Sequence, residues 1–344
     1  LHFEFVLLSN MNHTAHILGA GGIGIAAGVC LSRAGWNVTM VDSNAKKIEA
    51  GKRVGMSVDG QIETRAKFVS FHEWAPPANE PILLCVKTFD NAPVLQRIAN
   101  MEQVVPIQNG FDSQLELLDH PAEAIASFVS ECDADRPVTR ITRAGALHIG
   151  ARSIVNTQQR ERIQTLALAL AQGKLFPVEN VPNILPFKAT KLMYNAAISP
   201  LAASAGVDNA QLLIDPLAQE MFFALLRENY SILKNAGLEM QTIGPFHPDT
   251  VMRILRTPML PKLMGVFFRP SLRGTYCSMS PDMGSGRTEV DAYNGHLIRL
   301  AGNFPCPINR AVVAMVEKIS RERLTPSHSH LRELAAMLPR GVLA

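Results

Sequence analysis

No run in this sequence is long and apolar enough to span a bilayer. No segment is dense enough in Lys and Arg to follow a nucleic-acid backbone, and a net charge of +3 is too small to argue for one. The chain therefore calls for neither a membrane nor a nucleic acid as partner. Its five cysteines are odd in number, scattered and never spaced C-x-x-C, which excludes a disulfide framework and fits a reducing cytosol. Cys30 and Cys85 lie in apolar runs and read as small core residues. The pair His328 and His330 has no acid or thiol cluster beside it, so it reads as solvated and no metal site is expected. There is no internal repeat or low-complexity tract. What remains is a chain of 344 residues, 47% apolar and 18% charged, which suits two domains with proper cores.

The N-terminal region organises the rest. Ala15 to Leu18 reads as a buried strand, and Gly19, Gly21 and Gly24 follow at the spacing G-x-G-x-x-G. Ala26, Ala27 and Gly28 would let a helix pack closely on that strand. Gly35 ends the helix, and Asn37 to Val41 makes a second strand that closes on Asp42. Gly19 permits the tight turn, Gly21 lets a pyrophosphate approach the backbone, and Gly24 lets helix and strand touch. The turn Gly19-Ala20-Gly21-Gly22-Ile23-Gly24 then offers free N–H groups to phosphates. Asp42 stands where a carboxylate accepts both ribose hydroxyls of an adenosine. Lys46 and Lys47 are either a solvated helix face or a pair able to meet a 2′-phosphate. Residues Leu1 to Asn10 precede Met11 and read as sequence upstream of the natural start.

Further along, Pro81 to Val86 and Val104 to Ile107 read as buried parallel strands. The polar residues just after them, Lys87 and Asn109, should face the crevice at the strands' carboxyl ends, where open α/β sheets bind ligands. Ala124 to Ser130 reads as one more strand, Arg143 to Gly150 as a β-hairpin and Ile163 to Gln172 as a helix. From about Phe187 the periodicity is helical. Lys188 to Ser199 makes a helix halted by Pro200, and Leu217 to Ala236 makes another, ended by Gly237. Thr288 to Ala301, Asn309 to Ser320 and a tail from about Leu331 are helical too. Trp36, Phe222 and Phe223 are simplest as core or interface residues. The expected fold is α/β: a Rossmann doubly wound domain over residues 11–182, then an all-helical C-terminal domain over 183–340. Apolar helices in the second domain leave room for a homodimer.

Lys191-Leu192-Met193-Tyr194-Asn195 in one helix, and Glu289-Val290-Asp291-Ala292-Tyr293-Asn294-Gly295 opening another, resemble the 2-dehydropantoate 2-reductase (ketopantoate reductase) family. Asn109-Gly110 after a strand strengthens the likeness, which runs from about Ala15 to about Ser320. The resemblance implies a cytosolic oxidoreductase that reduces a small 2-oxo acid, 2-dehydropantoate first, by hydride from a nicotinamide cofactor. It makes Lys191 the general acid and Glu289 the acidic residue of the substrate site, able to fix a substrate hydroxyl or orient Lys191. It also makes Asn195 a substrate contact, Ser278 the serine that meets the carboxylate, and Lys87 and Asn109 the crevice residues. A second cation such as Lys87 would make Lys191 a better acid.

Two departures stand out. Ser199-Pro200 occupies the place of the family's Asn-Pro, so that substrate contact is altered. Near Ser43 the family's NADPH users carry an arginine, whereas here Asp42 stands beside that position and would repel a 2′-phosphate. NAD(H) is therefore favoured over NADP(H). Residues 244–286 look unusual for the family and should shape the pocket. A paralogue acting on another small hydroxy or oxo acid is the alternative that Ser199 favours. A non-catalytic dinucleotide sensor is the other, and it would have no need of the Lys191, Asn195 and Glu289 set.

Overall fold

A computed structural model describes residues 13–257 and 272–343. The segment Leu1 to Asn10 and part of the 244–286 region therefore lie outside the described residues. The chain opens β1 (Thr14–Leu18), α1 (Gly22–Arg33), β2 (Asn37–Asp42), α2 (Ala45–Val54), β3 (Met56–Val58), β4 (Gln61–Thr64), β5 (Lys67–Ser70), β6 (Ile82–Leu84), α3 (Asn91–Leu95) and β7 (Val104–Pro106). Strands β5, β2, β1, β6 and β7 form one parallel sheet in that order. Ala15, Ile17 and Leu18 are buried, as a strand covered on both faces requires. Helix α1 packs close because its inner face is Ala26, Ala27 and Gly28; a Cβ on Gly28 would press on the sulfurs of Met40 and Met56.

Next come β8 (Ala122–Ala126), β9 (Val129–Cys132), β10 (Val138–Arg143), β11 (Leu147–Ala151), α4 (Thr157–Gln172) and β12 (Val178–Val181). Here the structure corrects two expectations. Residues 124–130 are two strands, and 143–150 is no hairpin. Strands β8 and β11 pair with β12 in one small sheet, while β9 and β10 join β3 and β4 in another. Both segments cross between sheets at the same level, where Ser127 N donates to the Ala146 carbonyl. Gly145 makes the crossing fit, because a Cβ there would lie 2.4–2.5 Å from the backbone of Ser127 and Phe128. Alternation alone could not distinguish this switch from a turn.

The helical part holds α5 (Leu185–Ala205), α6 (Asn209–Leu212), α7 (Pro216–Asn235), α8 (Pro248–Leu255), α9 (His296–Ala301), α10 (Pro307–Arg321) and α11 (His328–Met337). A wider π-type turn, Asp291–Gly295, leads into α9. Helix α5 runs straight through Pro200 instead of halting there, and ends at Gly206 in the left-handed conformation. A proline at 200 cannot donate to the carbonyl of Ala196, which would ordinarily leave that acceptor bare. Asn294 on the π-type turn supplies the missing donor, its Nδ2 lying 2.9 Å from the Ala196 oxygen. The expectation that His330 is solvated also fails, since its ring is buried and its Nδ1 lies 3.2 Å from the carbonyl oxygen of Ser204. Among the described residues no helix is long and apolar enough to cross a membrane.

Candidate active site

A cleft of about 1910 Å³ runs between the parallel sheet and the helical part. Its floor is the carboxyl end of the sheet. The β1–α1 turn places Gly19, Gly21, Gly22 and Ile23 along it, with Asp42 at the end of β2, Lys87 after β6 and Asn109 after β7. Its other wall carries Lys191, Asn195 and Ser199 from α5, Ser278 from the loop before the π-type turn, and Glu289.

The turn is built to leave α1 open. Gly19 has φ +101°, a conformation that favours glycine. A Cβ on Gly24 would sit 2.0 Å from the Gly19 carbonyl oxygen, so only glycine allows the strand and helix to meet. At Gly21 nothing lies within 4 Å of where a Cβ would be, so that side of the turn is open. No side chain caps the N-terminus of α1. Uncapped N–H groups and the positive end of a helix dipole, facing a cleft, form a site for a phosphate. These features fit the pyrophosphate of a dinucleotide.

Asp42 does more than the sequence suggested. Its Oδ2 accepts from Ala20 N at 2.7 Å and its Oδ1 from Asn44 N at 2.8 Å. It thus ties the second strand to the glycine turn, and one lone pair on each oxygen remains for ribose hydroxyls. Lys46 pairs with Asp135 in solvent, whereas Lys47 lies against the cleft and donates to the Ala20 carbonyl at 3.0 Å.

Lys191 is the one lysine of α5 that faces the cleft. Burial, then the positive charge of Arg143, lowers its pKa to about 7. The second cation acting on it is therefore Arg143, at the end of β10, and not Lys87. Lys87 is committed elsewhere. Its Nζ donates to Ser278 O at 2.5 Å, to Asp282 at 2.7 Å and to Glu289 at 3.2 Å. Burial alone would lower the pKa of that ammonium, but Glu289 and Asp282 outweigh it and hold the group charged. Glu289 is 5% exposed and also accepts from Thr88 N at 3.4 Å. It thus orients Lys87 across the cleft, where the sequence had suggested Lys191. Ser278 is paired with Tyr293, hydroxyl to hydroxyl, at 3.1 Å. Ser199 is buried, and its carbonyl accepts from the Cys277 thiol at 3.3 Å. Asn109 and Asn195 line the cleft partly exposed.

One side chain that sequence reasoning passed over is Arg143. Taken as the start of a hairpin, it carried no signal. The register of β10 shifts between Ile141 and Arg143, at the place where this side chain enters the lining of the cleft.

Comparison with known proteins gives the family and the fold. Residues 15–153 match the family model described as ketopantoate reductase PanE/ApbA, and residues 183–320 match ketopantoate reductase PanE/ApbA C terminal. A 2-dehydropantoate 2-reductase of Pyrococcus horikoshii is 25% identical, covering 88% of this chain and 96% of that one. Among solved structures, a PanE/ApbA family ketopantoate reductase from Ralstonia eutropha JMP134 superposes with a TM-score of 0.70 at 21% identity. It covers 91% of this chain and 100% of its own. A ternary structure of D-mandelate dehydrogenase with NADH and anilino(oxo)acetate gives 0.70 at 18%, covering 94% and 99%. The glycine turn lies in the stretch matched by the first model, and Lys191 and Glu289 lie in that matched by the second. With both walls of the cleft so matched, the chain belongs to the ketopantoate reductase family.

Proposed function

We propose that this chain reduces a 2-oxo acid to the 2-hydroxy acid at the cleft between its two parts. The observation that carries the reading is a lysine held near neutrality in the wall opposite an uncapped dinucleotide turn. The division that goes with it is a dinucleotide domain over 11–182 and a catalytic and substrate domain over 183–340. The bound nicotinamide supplies a hydride to the ketone carbon. The protein's own residues handle the charge. As the carbonyl oxygen turns into an alkoxide, the Lys191 ammonium stabilises it and then gives up a proton. An ordinary lysine, with a pKa near 10.4, is a sluggish acid at neutral pH; burial and Arg143 correct this. Asn195, Ser199 and Ser278 present polar groups along the same wall for the substrate, and Asn109 does so from the sheet side. Lys87 and Glu289, bonded across the cleft, hold the two walls in register around it.

Asp42 supports NADH over NADPH, because a carboxylate at the ribose repels a 2′-phosphate. Lys47 lies near enough to the Ala20 end to temper that preference. We carry 2-dehydropantoate over from the named relatives as the first substrate to assay. A second reading is reduction of a bulkier 2-oxo acid. It is favoured by the apolar part of the wall, where Ile198, Phe222, Phe223 and Leu226 from α5 and α7 line the cleft beside Ser199. A homodimer is the expected assembly.

The test is a purified-protein assay of 2-dehydropantoate and phenylglyoxylate reduction with NADH and NADPH, repeated with Lys191→Ala. The variant should lose about 10²–10⁴ in kcat while still binding cofactor. Unchanged turnover would remove Lys191 from the mechanism.

A further inference from the structure

Taken one by one, the charges around the cleft leave one guanidinium without a counter-ion. Asp42 is bonded to two backbone N–H groups, Asp90 to Arg287 at 2.7 Å and Glu131 to Arg140 at 3.4 Å. Glu289 is bonded to Lys87. Of the cations, Lys47 sits at the Ala20 end. Arg143 and Lys191 remain in the cleft, and neither has a carboxylate partner among the described residues.

Arg143 makes one weak hydrogen bond, from its Nη2 to the Ser127 carbonyl at 3.3 Å. The rest of its fork has no partner among the described residues. Arg143, at the end of β10, lines the same cleft as Lys191 and is near enough for its charge to act on that lysine. Holding two cations close together, partly out of water, is unfavourable unless an anion joins them. A guanidinium fork matches a carboxylate bidentately and more strongly than a hydroxyl or amide can.

We propose that Arg143 binds the carboxylate of the substrate. This rests on the 2-oxo acid reductase reading and adds to it a charged residue for the anionic end of the substrate, where the resemblance offers only Ser278, whose hydroxyl is paired with Tyr293. The ketone of a 2-oxo acid adjoins its carboxylate, so an anion seated on Arg143 brings the carbonyl oxygen to the neighbouring Lys191. One cation then holds the standing charge while the other meets the charge that develops during hydride transfer.

The test compares an acid with its neutral ester. The native enzyme and Arg143→Gln are assayed with 3-methyl-2-oxobutanoate and with its methyl ester. On the acid, kcat/KM should fall about 100-fold, mostly through KM. On the ester the fall should be at least about tenfold smaller, what remains being the loss of the Arg143 charge that acts on Lys191. Arg143→Lys keeps a charge but loses the fork, so it should lie between the two on the acid and near native on the ester. Should Arg143→Gln fail to fold, Arg143→Lys gives the same comparison. Equal losses on acid and ester, or no loss on the acid, would overturn the assignment. If the native enzyme turned over neither of these compounds, nor 2-dehydropantoate, nor phenylglyoxylate, the reductase reading itself would fall, and this inference with it.

Discussion

Replacing Lys188 by Met should loosen the seat of the helix that carries Lys191. Lys188, one turn before Lys191, is 3% exposed and paired with Glu123 of β8, which is wholly buried. Glu123 also meets His120 at 2.7 Å and Arg152 at 3.3 Å. Burial works to raise the pKa of this carboxyl, but Lys188, His120 and Arg152 together bring it down to about 2. Against an ordinary value near 4.5, that depression corresponds to about 3 kcal/mol of folding free energy at neutral pH. The contribution is complete above about pH 4.5 and is lost as pH falls toward 2. Removing one partner of a buried pair commonly costs about 3–5 kcal/mol. His120 and Arg152 remain, so about 2–3 kcal/mol is expected for Lys188→Met. A chain of this length has an unfolding entropy of about 0.7 kcal/mol/K, which converts the loss into a Tm lower by about 3–4 °C at pH 7. The gap to the native protein should narrow as pH is lowered toward 3, and Lys188→Met with Glu123→Leu should regain most of it. Calorimetry across that pH range is the assay. A Tm within about 1 °C of native at pH 7 would refute the reasoning, as would a gap that ignores pH.

Two further outcomes follow from the cleft. In the reducing direction kcat/KM should fall about tenfold per pH unit above about pH 7, because the acid form of Lys191 in the free enzyme is being lost; oxidation of the hydroxy acid should show the opposite limb. A flat reductive profile between pH 6 and 9, with chemistry shown to be rate-limiting, would contradict this. Asp42→Asn drops the charge and keeps an acceptor for one of the two amides, Ala20 or Asn44, so the ratio of NADPH to NADH efficiency should rise about tenfold; a ratio that stays put would end the argument for NADH from Asp42.

The β1–α1–β2 unit could be read from the chain because every requirement there is local. A buried strand, a turn that only glycine can make and a helix of small residues follow one another within 30 residues. Lys191 and Glu289 could be singled out through their companions at fixed spacing, and the structure puts both in the lining of the cleft. What could not be read depends on partners far away in sequence. Pro200 looked like a helix stop because the donor that excuses it, Asn294, lies 94 residues on. Glu123, set between alanines, and Lys188, on a helix face, each look ordinary until β8 and α5 are brought together. Arg143 gave no signal because its value lies in what it lacks, a counter-ion, and that is visible only once the acids around it are seen to be taken.

Helix α5 joins these separate facts. Lys188, Lys191, Asn195 and Ser199 recur at intervals of three and four, so they share one face, spread over about 16 Å at 1.5 Å per residue. The first is clamped to β8 through Glu123, and the other three face the cleft. The same helix is tied at Ala196 to Asn294, which sits on the π-type turn just after Glu289. Glu289 in turn holds Lys87 at the end of the sheet. A loop of contacts therefore runs from β8 to α5, across to the π-type turn, and back to β6. Lys191 lies inside that loop, between the buried clamp at Lys188 and the carbonyl that Pro200 leaves free. The irregular residues of the helical part, a buried lysine and a mid-helix proline, are thus the ones through which α5, and Lys191 with it, is tied to β8 and to the π-type turn.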